Sequence, residues 1–253
     1  MWIVEYWDLT MILTVSNLKI RYKNSVLGFL WSLLNPLLLM IVMLVVFTKL
    51  MRFNTANYSL FLLSGLIFWR FFASSTSQSL SSIVNRANLI RKIYFPREIL
   101  VFSHVLSCAV GFLLEFMVFF FILLFFRIPL SPSMLFVILF LFLEFILVFG
   151  IGLALSSLYV LFRDYADIWE LTLTILFFLT PIVWPTTIIP KNYLPYILLN
   201  PLSQIIITVR SAVLEGTMPS LMSIISSTLL CLLAFIVGYL IFKRIEPKFG
   251  REL

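Results

Sequence analysis

The chain has 253 residues, 62% of them hydrophobic and 11% charged, with a formal net charge of +7. Soluble domains carry about 25% charged residues, so an ordinary soluble protein is excluded, and six membrane crossings at roughly 20 residues each would take near half the chain, leaving only short connections. Basic residues beside apolar runs explain the charge through orientation and contact with anionic lipid, which argues against nucleic acid as a partner.

In chain order, Trp2 and Trp7 precede Leu9, Ile12, Leu13 and Ile20, which recur near helical spacing, and Lys19, Arg21 and Lys23 follow. Residues 1–23 are therefore expected to form an amphipathic helix along the cytoplasmic interface rather than a solvated leader. Glu5, Asp8 and Asn17 interrupt any basic-then-apolar pattern, so no cleavable signal peptide is expected. Residues 24–48 contain no charge and predict the first span. The second span, 58–84, carries Arg70.

The connection 85–97 combines Arg86, Arg91 and Lys92 with Leu89, Ile90, Ile93, Tyr94 and Phe95, and Pro96 closes it. It reads as a short amphipathic cytoplasmic helix that either rests on lipid or docks in a groove on a cytoplasmic partner. The third span, 98–126, carries His104 and Glu115, and the fourth, 134–162, carries Glu144. The fifth covers 168–184. Pro181, Pro185, Pro190, Pro195 and Pro201 then fall within 21 residues, so no continuous helix survives there. Asn200 as cap, Pro201 at the first helical position and Gly216 beyond Glu215 bracket a helix over 201–215. At ~1.5 Å per residue it reaches only ~22 Å, and its apolar content predicts a re-entrant element dipping into the outer leaflet or covering a pore mouth rather than an external helix resting on lipid. The sixth span is 220–242.

An even span count puts both termini on one side, and twelve basic residues on that side against five on the other make it the cytoplasm. Arg70, Glu115 and Glu144 all lie about 15 to 18 Å deep on helical rise. A charge isolated in lipid costs several kcal/mol, so Arg70 is expected to pair with Glu115, Glu144 or both. Such a cluster either locks spans two, three and four together or serves as an ion or proton relay.

His104 has no Cys, Asp or second His at metal-ligand spacing and reads as a packing residue, so neither a metal nor a catalytic site is expected. Cys108 and Cys231 sit in apolar runs and read likewise. No GxxxxGK[ST], HExxH or GxSxG occurs, so the chain is not expected to bind ATP or act as an enzyme by itself. Transport is the class that remains.

Several stretches in order resemble the membrane (permease) subunit of polysaccharide and O-antigen ABC exporters of the ABC type-2 family. These are Arg21 to Trp31 followed by Asn35-Pro36-Leu37; Leu89-Ile90-Arg91-Lys92 with Phe95-Pro96-Arg97-Glu98; Phe162-Arg163-Asp164; Pro181-Ile182-Val183-Trp184-Pro185 with Ile189-Pro190; and Leu199-Asn200-Pro201-Leu202 followed by Arg210. The resemblance spans nearly the whole chain and implies one all-α membrane domain over 1–253 with six transmembrane helices. It implies a homodimer enclosing a channel, with two separate cytoplasmic ATPase subunits that hold ATP and Mg while this chain binds no cofactor.

The resemblance makes 85–97 a coupling helix, with Asn88, Arg91, Lys92, Tyr94 and Phe95 facing the ATPase, and 185–216 an external gate region. Channel or gate candidates are Phe29 and Trp31 at the cytoplasmic entrance, with Trp184, Tyr193, Tyr196 and Arg210 towards the outside. With 27 Phe, 9 Tyr and 6 Trp, most aromatics must nevertheless face lipid, core or interface. The implied cargo is a polysaccharide on undecaprenyl diphosphate, O-antigen first, moved from cytoplasm to periplasm across a bacterial inner membrane. Teichoic acid, capsule polymer or a small hydrophobic cargo are alternatives within that architecture. An ion-coupled carrier using Arg70, Glu115 and Glu144 is the rival outside it, and a membrane enzyme a more distant one.

Overall fold

The computed structural model of the protein describes residues 5–22, 30–46, 57–190 and 192–252, and among these every regular element is a helix. We number them α1 (Trp7–Tyr22), α2 (Leu30–Leu44), α3 (Tyr58–Leu80), α4 (Ala87–Lys92), α5 (Glu98–Phe125), α6 (Leu135–Leu161), α7 (Tyr165–Leu179), α8 (Leu194–Leu198), α9 (Pro201–Leu214), α10 (Leu221–Ile245) and α11 (Phe249–Glu252). Four of them, α3, α5, α6 and α10, are long and apolar enough to cross a membrane. The protein is a multi-pass membrane protein. Of the expected first span, 24–48, residues 30–46 are described, and they hold the 15-residue helix α2.

Helix α3 is the axis of the bundle, packed against α2, α5, α6, α7 and α9. Leu62, Leu66, Phe68, Phe112, Phe119, Phe140 and Leu153 meet in one core around it. Helices α6 and α10 come closer than side chains ordinarily allow. A Cβ placed on Gly238 would collide with the backbone of Gly150, and one on Gly150 with the backbone of Phe235. In lipid the hydrophobic effect does not drive helices together, so close backbone approach over small residues supplies the dispersion contact instead. The outer faces of both helices carry Phe142, Leu229, Leu233, Ile236 and Leu240, all exposed, as lipid-facing surfaces require.

At one end of the bundle an ionic cluster ties the start of α5 to the end of α10. Lys243 lies 2.5 Å from Glu98 and 2.9 Å from Glu246, and Arg97 donates to the Glu246 carbonyl oxygen at 2.9 Å. Glu98 is in the first turn of α5 and Lys243 in the last turn of α10, so each charge complements its helix dipole.

Three elements differ from expectation. The fifth apolar segment forms a helix of only 15 residues, α7. Thr180, preceding Pro181, turns extended at φ −87°, ψ 137°, because the proline ring disfavours helical geometry in the residue before it. The connecting helix expected over 85–97 shrinks to the six residues of α4, preceded by a 3₁₀ turn, and Ile93 is extended on the way to Pro96.

The third is α1, which buries Thr10, Thr14 and Asn17 alongside Leu13, while Ile12 and Ile20 are 67% and 63% exposed. Thr14 and Asn17 meet Ser103, and Arg21 donates to Cys108 Sγ at 3.9 Å, so α1 runs alongside α5 in the same direction. Its exposed side mixes Ile12, Val15 and Ile20 with the charged Glu5, Asp8 and Lys19. Helix α9 matches its expected bounds to within a residue, and Asn200 caps it by accepting from the Leu202 amide at 3.0 Å. It is buried against α3, α6 and α10 instead of lying on the surface.

Candidate functional site

Between Leu62 and Leu80 the positions of α3 that are not buried are Arg70, Ala73, Ser74, Ser77 and Gln78. Spacings of three and four place them on one face of the helix. A spanning helix that buries its apolar side chains and exposes an arginine, two serines and a glutamine has reversed the pattern lipid demands. Such a stripe belongs against water or against another polar surface. On the facing helix α5, His104, Cys108, Gly111 and Glu115 form the matching row.

Two openings follow these rows. A cavity of about 460 Å³ at the α3 end nearest α4 is bordered by Asn17, Arg21, Gln78, Asn85, Arg86 and His104. A separate crevice of only about 10 Å³ lies beside Arg21, Ser74, Cys108, Arg70 and Glu115, sharing Arg21 with the cavity. The rows extend eleven residues along α5, roughly 16 Å. At the deeper end Arg70 and Glu115 pair at 3.4 Å, with 21% and 8% of their side chains exposed. At the shallower end Arg86 donates to Ser16 at 3.3 Å and to the Asn17 carbonyl oxygen at 3.4 Å.

Glu144 does not share this site. It is fully buried on α6, and neither carboxylate oxygen has a hydrogen-bond partner among the described residues. Equal depth along the bilayer normal made it a candidate partner for Arg70, but its position around α6 turns it away. The three-residue charge cluster is therefore a pair plus a separate acid.

The residues expected to face an ATPase divide in two. Asn88, Arg91, Lys92 and Tyr94 are exposed, Tyr94 to 94%. Phe95 is only 5% exposed and packs with Leu13, Ile99 and Leu100, so it anchors the connection beneath α1 and cannot reach a partner. The chain leaves helical geometry at Ile93, and the step from Tyr94 to Phe95 carries it from the exposed surface into the packing under α1.

Among the channel and gate candidates, Phe29 and the Trp31 side chain lie outside the described residues. Tyr193 and Tyr196 are 62% and 70% exposed. Trp184 is half-buried, its indole donating to the Phe178 carbonyl at 3.0 Å. Arg210 is a buried clamp that also borders a cavity of about 450 Å³ beside Phe61, Pro185, Thr186 and Glu215. Its guanidinium donates to the carbonyls of Phe61 at 3.1 Å, of Ile182 at 2.6 Å and of Pro181, and stacks 3.6 Å over the Phe61 ring. Gly65 makes the room: a Cβ there would overlap the guanidinium. Tyr58 donates to the next carbonyl, Val183, at 2.7 Å. Together they replace the helical hydrogen bonds that Pro181 and Pro185 prevent.

Ser74, Ser77, Gln78 and Asn85 are uncharged, so reasoning from intramembrane charge alone does not reach them. In the sequence Ser74, Ser77 and Gln78 belong to one continuous polar run, 74–79, in which Ser75, Thr76 and Ser79 are buried, so only the packing singles out the open face. Among the described residues no group of three or more His, Cys, Asp or Glu is placed to hold a metal.

In sequence, residues 8–214 match the family model described as ABC-2 type transporter. The chain is 34% identical over 251 residues to an O-antigen export system permease protein RfbA of Klebsiella pneumoniae, covering 98% of this chain and 95% of that protein. It is 30% identical over 218 residues to an RfbA of Myxococcus xanthus bearing the same description, covering 85% and 84%. It is 26% identical over 246 residues to the polysialic acid transport protein KpsM of Escherichia coli, covering 92% of each.

Proposed function

The chain belongs to the ABC-2 type transporter family, and from that premise we propose that it is the membrane subunit of an ATP-driven polysaccharide exporter in a bacterial inner membrane. Two copies enclose the channel, each with six transmembrane helices, re-entrant external gate helices between the fifth and sixth, and cytoplasmic termini. Two separate ATPase subunits on the cytoplasmic side bind ATP and Mg. The cargo is a polysaccharide carried on undecaprenyl diphosphate, O-antigen in the first instance, passed from cytoplasm to periplasm. The RfbA relatives support this cargo over the polysialic acid named for KpsM, which aligns at lower identity.

The observation that carries the reading is the polar, incompletely buried face of α3. A polymer of hydroxyl groups needs a wet wall that offers many weak hydrogen bonds and no deep well. Ser74, Ser77 and Gln78 are neutral and short, so they hydrate the path without holding the chain. The Arg70 and Glu115 pair keeps two opposite charges together on the same wall. Exposed Tyr94 with Arg91 and Lys92 supplies the contact through which ATP-driven closure reaches the membrane helices.

The test is co-purification with a candidate ATPase, followed by export of lipid-linked polymer in reconstituted vesicles. ATP-dependent delivery of polymer to the far side supports the reading. Transport by this chain alone under a proton gradient would overturn it in favour of a carrier built on Arg70 and Glu115.

A further inference from the structure

The ionic cluster at the end of the bundle is arranged as a contact that can change partners. Glu98 is 2% exposed, and one carboxylate oxygen meets Lys243 of α10 at 2.5 Å. Its other oxygen is buried with no hydrogen-bond partner among the described residues. An ion pair with a buried member is a weak source of stability, because taking the carboxylate out of water offsets much of the attraction. Lys243 also reaches Glu246 on its own helix, at 2.9 Å. The ammonium therefore has one acceptor on α5 and one on α10, and it can give up the first while keeping the second.

This pair sits between two stiff pieces of chain. On the α5 side the chain runs from exposed Arg91 and Tyr94 through Phe95, buried under α1, to Pro96, Arg97 and Glu98. Arg97 adds a second tie, donating to the Glu246 carbonyl at 2.9 Å and lying 5.6 Å over the ring of the fully buried Phe249. On the other side α10 has 25 residues and no proline to interrupt its hydrogen bonds. It is joined to α6 where Gly150 and Gly238 meet, and near its start Ser226 and Ser227 donate to the Gln204 side chain of α9 at 2.8 and 2.9 Å. Sixteen residues, roughly 24 Å, separate Ser227 from Lys243. One straight helix thus links the surroundings of α4 to α9.

We propose that Glu98 and Lys243 are positioning residues for transport, forming a latch that holds α10 in one place until the α4 connection moves. Lys243 then exchanges Glu98 for Glu246, and α10 pivots about the Arg97 tie and carries α9 with it. The proposal rests on the export reading for the source of the movement, an ATPase docked at Arg91 and Tyr94.

The test uses the full chain with its ATPase in nanodiscs, carrying Ile207→Cys on α9 beside the cavity that Arg210 borders. Both native cysteines are buried. A membrane-impermeant maleimide is applied without nucleotide and with ATP, and ATP hydrolysis is measured on the same samples. Labelling in the parent should change about fivefold or more on ATP addition. Lys243→Gln opens the latch, so its labelling without nucleotide should already equal the parent's with ATP. Glu246→Gln removes the alternative acceptor, so its labelling with ATP should stay near the nucleotide-free level. Lys243→Arg, which can still pair with either carboxylate, should restore the response. Hydrolysis should persist in all three.

A parent-like response in both glutamine variants overturns the latch. So does a shift in the same direction in both, which is the mark of a pair that only holds the fold together. Loss of hydrolysis in Lys243→Gln assigns the pair to the ATPase contact itself and likewise overturns it. Where Lys243→Gln fails to fold, Glu246→Gln decides, since the tie from Arg97 to the Glu246 backbone remains. A parent that delivers polymer without any change at Ile207→Cys sinks the latch and leaves export standing; a parent that binds no ATPase removes the export reading, and the latch with it.

Discussion

Replacement of Arg210 isolates a single physical idea, that one buried guanidinium substitutes for the backbone hydrogen bonds that prolines deny. Arg210 is 6% exposed, and it donates to the carbonyls of Phe61, Pro181 and Ile182 and to Ser64 Oγ at 3.3 Å. Arg210→Ala strands the buried carbonyls of Pro181 and Ile182. At roughly 1–3 kcal/mol for each buried acceptor left without a donor, the loss should be about 2–6 kcal/mol. Arg210→Lys keeps the charge but replaces a planar fork with one nitrogen, so it should recover about half.

Unfolding in mixed micelles, driven by titration with a denaturing detergent, measures the loss. Maleimide labelling of Val183→Cys, at a position now 7% exposed, reports the local opening. The expected outcome is a marked increase in labelling for the alanine variant and an intermediate one for lysine. An alanine variant within about 1 kcal/mol of the parent and no faster to label would refute the clamp. Full recovery by lysine would refute the part of the argument that depends on the fork.

Three further expectations concern other parts of the molecule. Ser77→Cys should react readily with a membrane-impermeant maleimide in the assembled complex, whereas Leu229→Cys, exposed to 63% but on the apolar face of α10, should not; similar labelling of both would remove the water-facing role of the α3 stripe. Tyr94→Ala should lower cargo-dependent ATPase activity without affecting stability, while Phe95→Ala should cost about 3–5 kcal/mol of stability through the cavity it leaves under α1. Equal unfolding midpoints for those two variants would contradict the split between contact and anchor. Gly238→Leu should separate α6 from α10 and lower the unfolding midpoint markedly, because what its side chain meets is the Gly150 backbone, which cannot rotate aside; an unchanged midpoint would show that the helices do not pack there.

Much of the architecture was legible because it follows from local chemistry. An Asn-Pro pair opens α9 since the Asn side chain caps the Leu202 amide and the proline needs no donor in the first turn. Apolar runs of sufficient length define α3, α5, α6 and α10. The end of α7 was misplaced by several residues even so, because hydrophobicity continues to Trp184 while the helix stops before Pro181. There, the backbone rule outweighs composition.

The sequence by itself determined that this is a membrane chain, where its apolar helices run and that three ionisable groups lie at similar depth. Which of them meet was beyond its reach, because depth is a linear property of the chain whereas pairing depends on how each helix is rotated against its neighbours. The tertiary structure gives Arg70 to Glu115 and leaves Glu144 to another face, buries Phe95 beside exposed Tyr94, and turns Arg210 inward onto carbonyls 29 and 28 residues away in sequence. It also decides which polar residues matter. Uncharged Ser74, Ser77 and Gln78 are unremarkable along the sequence, and they stand out because packing encloses the other sides of α3 between Leu62 and Leu80 and leaves theirs open.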